Sequence, residues 1–233
     1  MSPTVQSTLP RIPPTPDVVT GDRDWFIVGR WQDFVGEARA NLLRIGGIAA
    51  FYVIELINYY GLHLGPLEIP ATVDRQFHAV VTALAVAWTM VALATQLCLQ
   101  IRIFPVWLKY VTTGCDIALL TTILTVADGP RSPLIVGYFL IVVLSTLRFQ
   151  LPLVWFATVG SMAGYIWLLG FAEWFAGDRD LTVPRYYQLI FLLALALTGV
   201  VLGQVVRRVR LLAQEFSARV SARDSASGPG PLS

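Results

Sequence analysis

Six apolar runs, each close to the length a helix needs to cross a bilayer, limit this chain more than any other feature. They lie near 42–61, 79–101, 107–127, 133–148, 152–172 and 187–206. About 20 apolar residues rising 1.5 Å each cover a hydrocarbon core about 30 Å thick. In hydrocarbon each backbone N–H and C=O must be satisfied internally, so every run is predicted as a helix. The fourth is short and crosses with little tilt or thins the bilayer locally. The connectors RIFPVW and RFQLP hold the proline expected where a helix stops. Composition agrees. Of the 233 residues 55% are hydrophobic and only 14% charged, where a soluble domain carries about 25% charged residues. The mean hydropathy is +0.64. The fold class expected is therefore all-α, a polytopic membrane protein with six transmembrane helices embedded in a lipid bilayer.

The flanks divide by composition. Residues 1–23, rich in Pro, Ser and Thr, read as a disordered tail. Residues 24–41 read as an interfacial amphipathic helix. Ile27, Trp31, Phe34, Val35 and Ala38 recur at three- and four-residue spacing, with Arg30, Asp33, Glu37 and Arg39 as its polar side. An ordinary amphipathic helix packed on a soluble partner has the same pattern. The six-span domain occupies 42–206, and no secretory signal precedes it, so its first run is expected to act as an uncleaved anchor. Residues 207–222 continue the last helix as a cytoplasmic extension, since no proline or glycine follows Gly203 until Gly228, and 223–233 form a flexible tail. Val209, Leu212, Phe216 and Val220 keep one side of the extension apolar, a stripe too short for a stable coiled coil alone.

Basic residues set the orientation. Thirteen lie in or beside the even-numbered loops and the two ends, counting Arg44, Lys109 and Arg148 at the edges of their runs, and among them are Arg207, Arg208 and Arg210; four lie in the odd-numbered loops. The positive-inside rule places both termini in the cytoplasm of a multi-pass cell-membrane protein. A net charge of +2 gives no footing for nucleic acid. Cys98 and Cys115 sit inside apolar runs, which argues against a disulfide framework, and two cysteines cannot make a four-ligand metal site.

Few residues suggest chemistry, and no catalytic, P-loop, dinucleotide or zinc motif is present. Asp116 stands mid-span in YVTTGCDIALLTT, where a lone charge costs at least about 2.5–3.5 kcal/mol on insertion scales. It is expected to face the bundle interior, either as a hydrogen-bonded packing residue or as a proton-, ion- or ligand-linked one. Glu55 and Asn58 share a helix face in the outer half of the first span. With Tyr59, Tyr60 and His63 they line an outward pocket, or else the tyrosines form an interfacial belt. His63 and His78 read as loop or surface residues. Gly160 with Gly164, and Gly199 with Gly203, form two G-x-x-x-G pairs that let helix backbones approach, within the bundle or between protomers of a homodimer. Between the third and fourth runs, DGPRSP supplies a tight turn in which Asp128, Arg131 and Pro133 meet headgroups and water.

Asp116, then DGPRSPL twelve residues on, then an aromatic-bearing span and a basic RF resembles the membrane domain of six-span sensor histidine kinases of the redox-responsive RegB/PrrB type. In that family a G-G-x-x-N-P-F signature occupies the corresponding outer loop and is implicated in quinone sensing; here only Gly129 and Pro133 match it. The resemblance implies ligand binding at the outer turn, at Asp128, Arg131 and Pro133, with quinone as the ligand class; Asp116, Glu55 and Asn58 join them as ligand-binding candidates on their own placement. No other cofactor is expected. The family's kinase region, which follows its last span, has no counterpart in the 25 or so residues after Arg208, which hold no histidine. The expected function is that of a sensor-like or adaptor domain without catalytic output of its own, not an enzyme, signalling through a cytoplasmic or membrane partner. The alternatives are a structural subunit of a larger membrane complex, then a small transporter.

Overall fold

The computed structural model describes residues 16–64, 67–71, 73–101, 105, 107–175, 181 and 183–226. Six helices follow one another: α1 (Pro16–Tyr60), α2 (Arg75–Gln100), α3 (Leu108–Val126), α4 (Gly137–Thr146), α5 (Leu151–Trp174) and α6 (Arg185–Ala226). A short antiparallel pair, β1 (Leu62–Leu64) and β2 (Leu67–Ile69), joins α1 to α2. Four helices are long and apolar enough to cross a membrane: Gly36–Tyr60 within α1, all of α2, all of α5, and Arg185–Phe216 within α6. α3 has 19 residues and carries Lys109 and Asp116, while α4 and the 3₁₀ turn before it form a shorter apolar helix, Pro133–Thr146. The outward faces suit lipid. Met90, Leu93 and Leu97 on α2, and Leu189, Ile190, Leu193 and Leu197 on α6, are all more than half exposed, a surface that water would not tolerate at this extent. The chain is membrane-embedded.

Neighbouring helices alternate in direction. Asn41 meets Gln96 and Glu55 meets His78, so α1 and α2 are antiparallel. Thr113 with Arg148, and Thr121 with Tyr138, set α3 against α4. Gly199 lies at Thr158 and Phe191 at Tyr165, which sets α5 against α6. α3 and α5 run parallel, with Gly160 on Ile117 and Gly164 on Thr121. The connectors after α1, α3 and α5 therefore share one end, the turn end. The 147–150 connector, the first half of α1 and the last turns of α6 share the other, the tail end.

Two kinds of core result. Between α3, α4, α5 and α6 lies an apolar one built on Leu124, Tyr138, Ile141, Val142, Ala157, Tyr165, Leu168 and Leu195. The α1–α2 hairpin is held to it by buried polar side chains instead: Glu37, Asn41, Arg44, Thr112, Thr113, Asp116 and Arg148.

α1 runs without a break through residue 41, where the sequence predicts a handover from the interfacial helix to the first span. Nothing between 37 and 45 breaks a helix, and Gly46 and Gly47 lie inside it with open space beside them. Residues 1–15 and 227–233, which include most of the two expected tails, are outside the described residues, as are the side chains of Ile27, Trp31, Phe34 and Val35. Glu37 departs from expectation. Its place on the polar side of the amphipathic pattern predicts a solvated carboxylate, yet it is 1% exposed, because Arg148 on another segment neutralises it.

Candidate functional site

Three α1 residues, Glu37, Asn41 and Arg44, are spaced by four and three and so line one face of the helix. That face turns toward α3, which presents Thr112, Thr113 and Asp116 at matching spacing. Arg44 donates from Nε to both oxygens of Asp116 (2.9 and 3.0 Å) and from Nη2 to Oδ2 (2.8 Å). Trp88 of α2 donates its indole N–H to Oδ1 at 2.8 Å. Arg44 Nη1 also donates to Asn41 Oδ1, and Asn41 passes its amide protons to Gln96 and to the Ala92 carbonyl. Asp116 thus accepts at both oxygens and joins three helices. Bonds of this charge-assisted, two-pronged kind add geometric specificity as well as strength.

A second ion pair lies nearer the tail end. Arg148, in the connector after α4, donates to Glu37 Oε1 at 2.6 Å, to Thr113 Oγ1 at 2.7 Å, to the Lys109 carbonyl at 3.0 Å and to Thr112 Oγ1 at 3.2 Å. The pair is less complete than the first. Glu37 Oε2 and Arg148 Nε are buried with no hydrogen-bond partner among the described residues. In the sequence Arg148 and Lys109 read as loop bases marking orientation; both are buried, at 6% and 4% exposure. They still lie at the tail end, so the orientation argument keeps its sign.

The turn end holds a third polar contact. His78 donates from Nδ1 to both carboxylate oxygens of Glu55 (2.8 and 3.0 Å) and stacks on Tyr59 with ring centres 3.9 Å apart. His78, expected as a loop or surface histidine, is therefore a partner of Glu55 at the first turn of α2. Asn58 is half-buried on α1. In the turn, Gly129 takes a φ of +58° that favours glycine, and the Ser132 hydroxyl accepts from the Leu134 N–H to start the next helical turn. Asp128, Arg131 and Pro133 are exposed there. Asp116 lies ten residues before the end of α3, about 15 Å along the axis from that turn. The residues grouped as one candidate site thus fall in three places: Asp116 mid-bundle, Glu55 and Asn58 at the turn end of α1, and Asp128, Arg131 and Pro133 on the turn surface. Among the described residues no three of His, Cys, Asp and Glu come together as metal ligands would.

The glycine pairs face neighbouring helices of the same chain. Gly160 and Gly164 face α3, where an added Cβ would come within 2.7 Å of Ile117 Cδ1 and 2.8 Å of Thr121 Oγ1; Gly199 and Gly203 face Thr158 and Leu151 of α5.

The residues that the sequence alone does not single out, Arg44, Trp88 and Arg148, leave one visible signal. Glu37, Asn41 and Arg44 are three polar residues at helical spacing leading into an apolar run, and such a stripe needs partners inside the bundle. Compared with known families, curated proteins and solved structures, the chain matches none.

Proposed function

We propose that the chain is a six-crossing membrane domain of the sensor-like or adaptor kind, with both termini cytoplasmic, acting on a partner protein through the end of α6. The observation that carries this reading is the unbroken course of α6. The helix is packed in the bundle at Leu195, Gly199, Gly203 and Val206, and then continues with Arg207 to Phe216 exposed. A helix transmits rotation or displacement along its length, so a change of packing at Gly199 is felt at Phe216. Its exposed stretch combines Arg207, Arg208 and Arg210 with Val209, Leu212 and Phe216, bases for the anionic inner leaflet and an apolar strip for a partner. Six crossings are supported by the alternation of helix direction through α3 and α4, and by the pairing of Asp116 with Arg44 that lowers the cost of a charge in α3. The likeness to sensor-kinase membrane domains supports the same reading.

Photo-crosslinking residues at Val209, Leu212 and Phe216, in native membranes, test it. One adduct of constant mass from these positions, with a yield per folded molecule changed by Asp116→Asn, is the expected result for a sensor-like domain. No adduct from any of them would discard the reading. The saturated cage around Asp116 favours a second reading, an accessory subunit of a larger complex. For that, the adduct would be a constitutive subunit and its yield indifferent to Asp116→Asn.

A further inference from the structure

The connector 147–150 is the place where the buried network and the α6 extension come within one peptide of each other. Arg148 is anchored on one side by Glu37 of α1 and by Lys109, Thr112 and Thr113 of α3. The next residue, Phe149, is the only non-glycine among the described residues with a positive φ, +49°. A bulky side chain is strained in that region and stays there only where its surroundings hold it. What holds it from the other side is Arg210, whose Nε donates to the Phe149 carbonyl at 2.7 Å. Arg210 sits one turn beyond Val206, the last residue of α6 found buried among the described residues. The carbonyl that accepts from it lies two residues past Leu147, the C-cap of α4.

We propose that Arg148 and Phe149 form a joint by which the ion pair to α1 sets the direction in which α6 leaves the bundle. The inference rests on the reading that α6 carries the output, and it names what controls that output. Release of Arg148 from Glu37 lets the strained Phe149 peptide relax, turns its carbonyl away from Arg210 and frees the first turn of the extension. The incomplete satisfaction of this pair, with Glu37 Oε2 and Arg148 Nε unpartnered among the described residues, makes it the less fully satisfied of the two buried ion pairs and the one suited to switching.

The test uses the full chain in lipid nanodiscs, with Cys98 and Cys115 replaced by alanine and spin labels on cysteines at Trp107 and Leu212. Both positions are exposed, at 62% and 64%. Distances are read by double electron–electron resonance. Arg210→Ala is expected to lengthen and broaden the distribution. Glu37→Gln, on a different helix, is expected to give the same change. Thr113→Val, a milder removal of one Arg148 acceptor, gives a smaller one and serves if Glu37→Gln does not fold. Glu55→Gln, at the turn end, leaves the distribution as in the parent. If Arg210→Ala changes nothing, or if it acts while Glu37→Gln and Thr113→Val leave the parent distribution, the joint does not exist. Whether α6 reaches a partner is decided separately, by the adducts from Leu212 and Phe216.

Discussion

Arg44 grips Asp116 along one edge of its guanidinium, Nε 2.9 and 3.0 Å from the two carboxylate oxygens and Nη2 2.8 Å from Oδ2. The pair joins α1 to α3 across 72 residues of sequence. In lipid, helices gain nothing from burying apolar faces against one another, so association depends on close packing and polar contacts. The α3–α6 bundle uses the first, through its glycines. The α1–α2 hairpin uses the second.

Removing one partner of that pair should cost far more than removing both. Asp116→Asn keeps the shape but leaves Arg44 as an uncompensated buried cation, for a loss of about 3–5 kcal/mol. Replacing Arg44 by Met together with Asp116 by Leu should recover most of it. Thermal unfolding of the purified protein in mild detergent, followed by circular dichroism, reads both. An Asp116→Asn protein as stable as the parent would mean that the pair does not hold the hairpin.

Trp88→Phe isolates the third member of the cage. An aromatic ring is kept, smaller by the pyrrole part of the indole, while the N–H to Asp116 Oδ1 is lost, and a hydrogen bond to a charged group contributes about 1.5–3 kcal/mol. In the Asp116→Leu background the same substitution should cost markedly less. Equal costs in the two backgrounds would assign the effect to packing of the indole.

Helix positions are legible in the sequence because the apolar runs leave the backbone no other way to satisfy itself in lipid. Asp116 is legible as a residue that must face inward, since its cost at mid-span demands a partner. Its partner is not. Arg44 lies at the start of an apolar run, where a base is equally well explained by the positive-inside rule, and Arg148 has the same ambiguity. Two roles, topological marker and buried counter-ion, share one residue type at one depth, and only the packing of α1 on α3 and α4 separates them. The short strands after α1 escape sequence reading for a different reason: LHL and LEI are three residues each, too short for alternation to show.

At the turn end, His78→Phe and His78→Ala separate two contributions. Phenylalanine keeps the stack on Tyr59, now 3.9 Å between ring centres, and loses the N–H to Glu55. Alanine loses both. The expected order of stability is parent, then Phe, then Ala, with the first step about 1–3 kcal/mol for leaving the buried Glu55 carboxylate without its donor. Melting curves check the order. A Phe variant equal to the parent would show that the carboxylate finds water as readily as it finds His78.

The last prediction concerns whether the α6 glycines serve the fold or a dimer. Helix propensity alone makes Gly199→Ala favourable by about 1 kcal/mol. At this position an added methyl falls on the Thr158 side chain. Thr158 has little freedom to move aside, since it is 2% exposed and its hydroxyl donates to the Val154 carbonyl at 2.8 Å. Overpacking of this kind costs about 1–3 kcal/mol, so the clash outweighs the propensity and Gly199→Ala should destabilise. Thr158→Ala vacates the same space, and the double variant should be more stable than the sum of the two single effects, a coupling of neighbours. Unfolding of all four proteins supplies the cycle, with light scattering on each to follow mass. Additive effects accompanied by a loss of dimer in Gly199→Ala would move the glycine from the α5–α6 contact to a contact between copies.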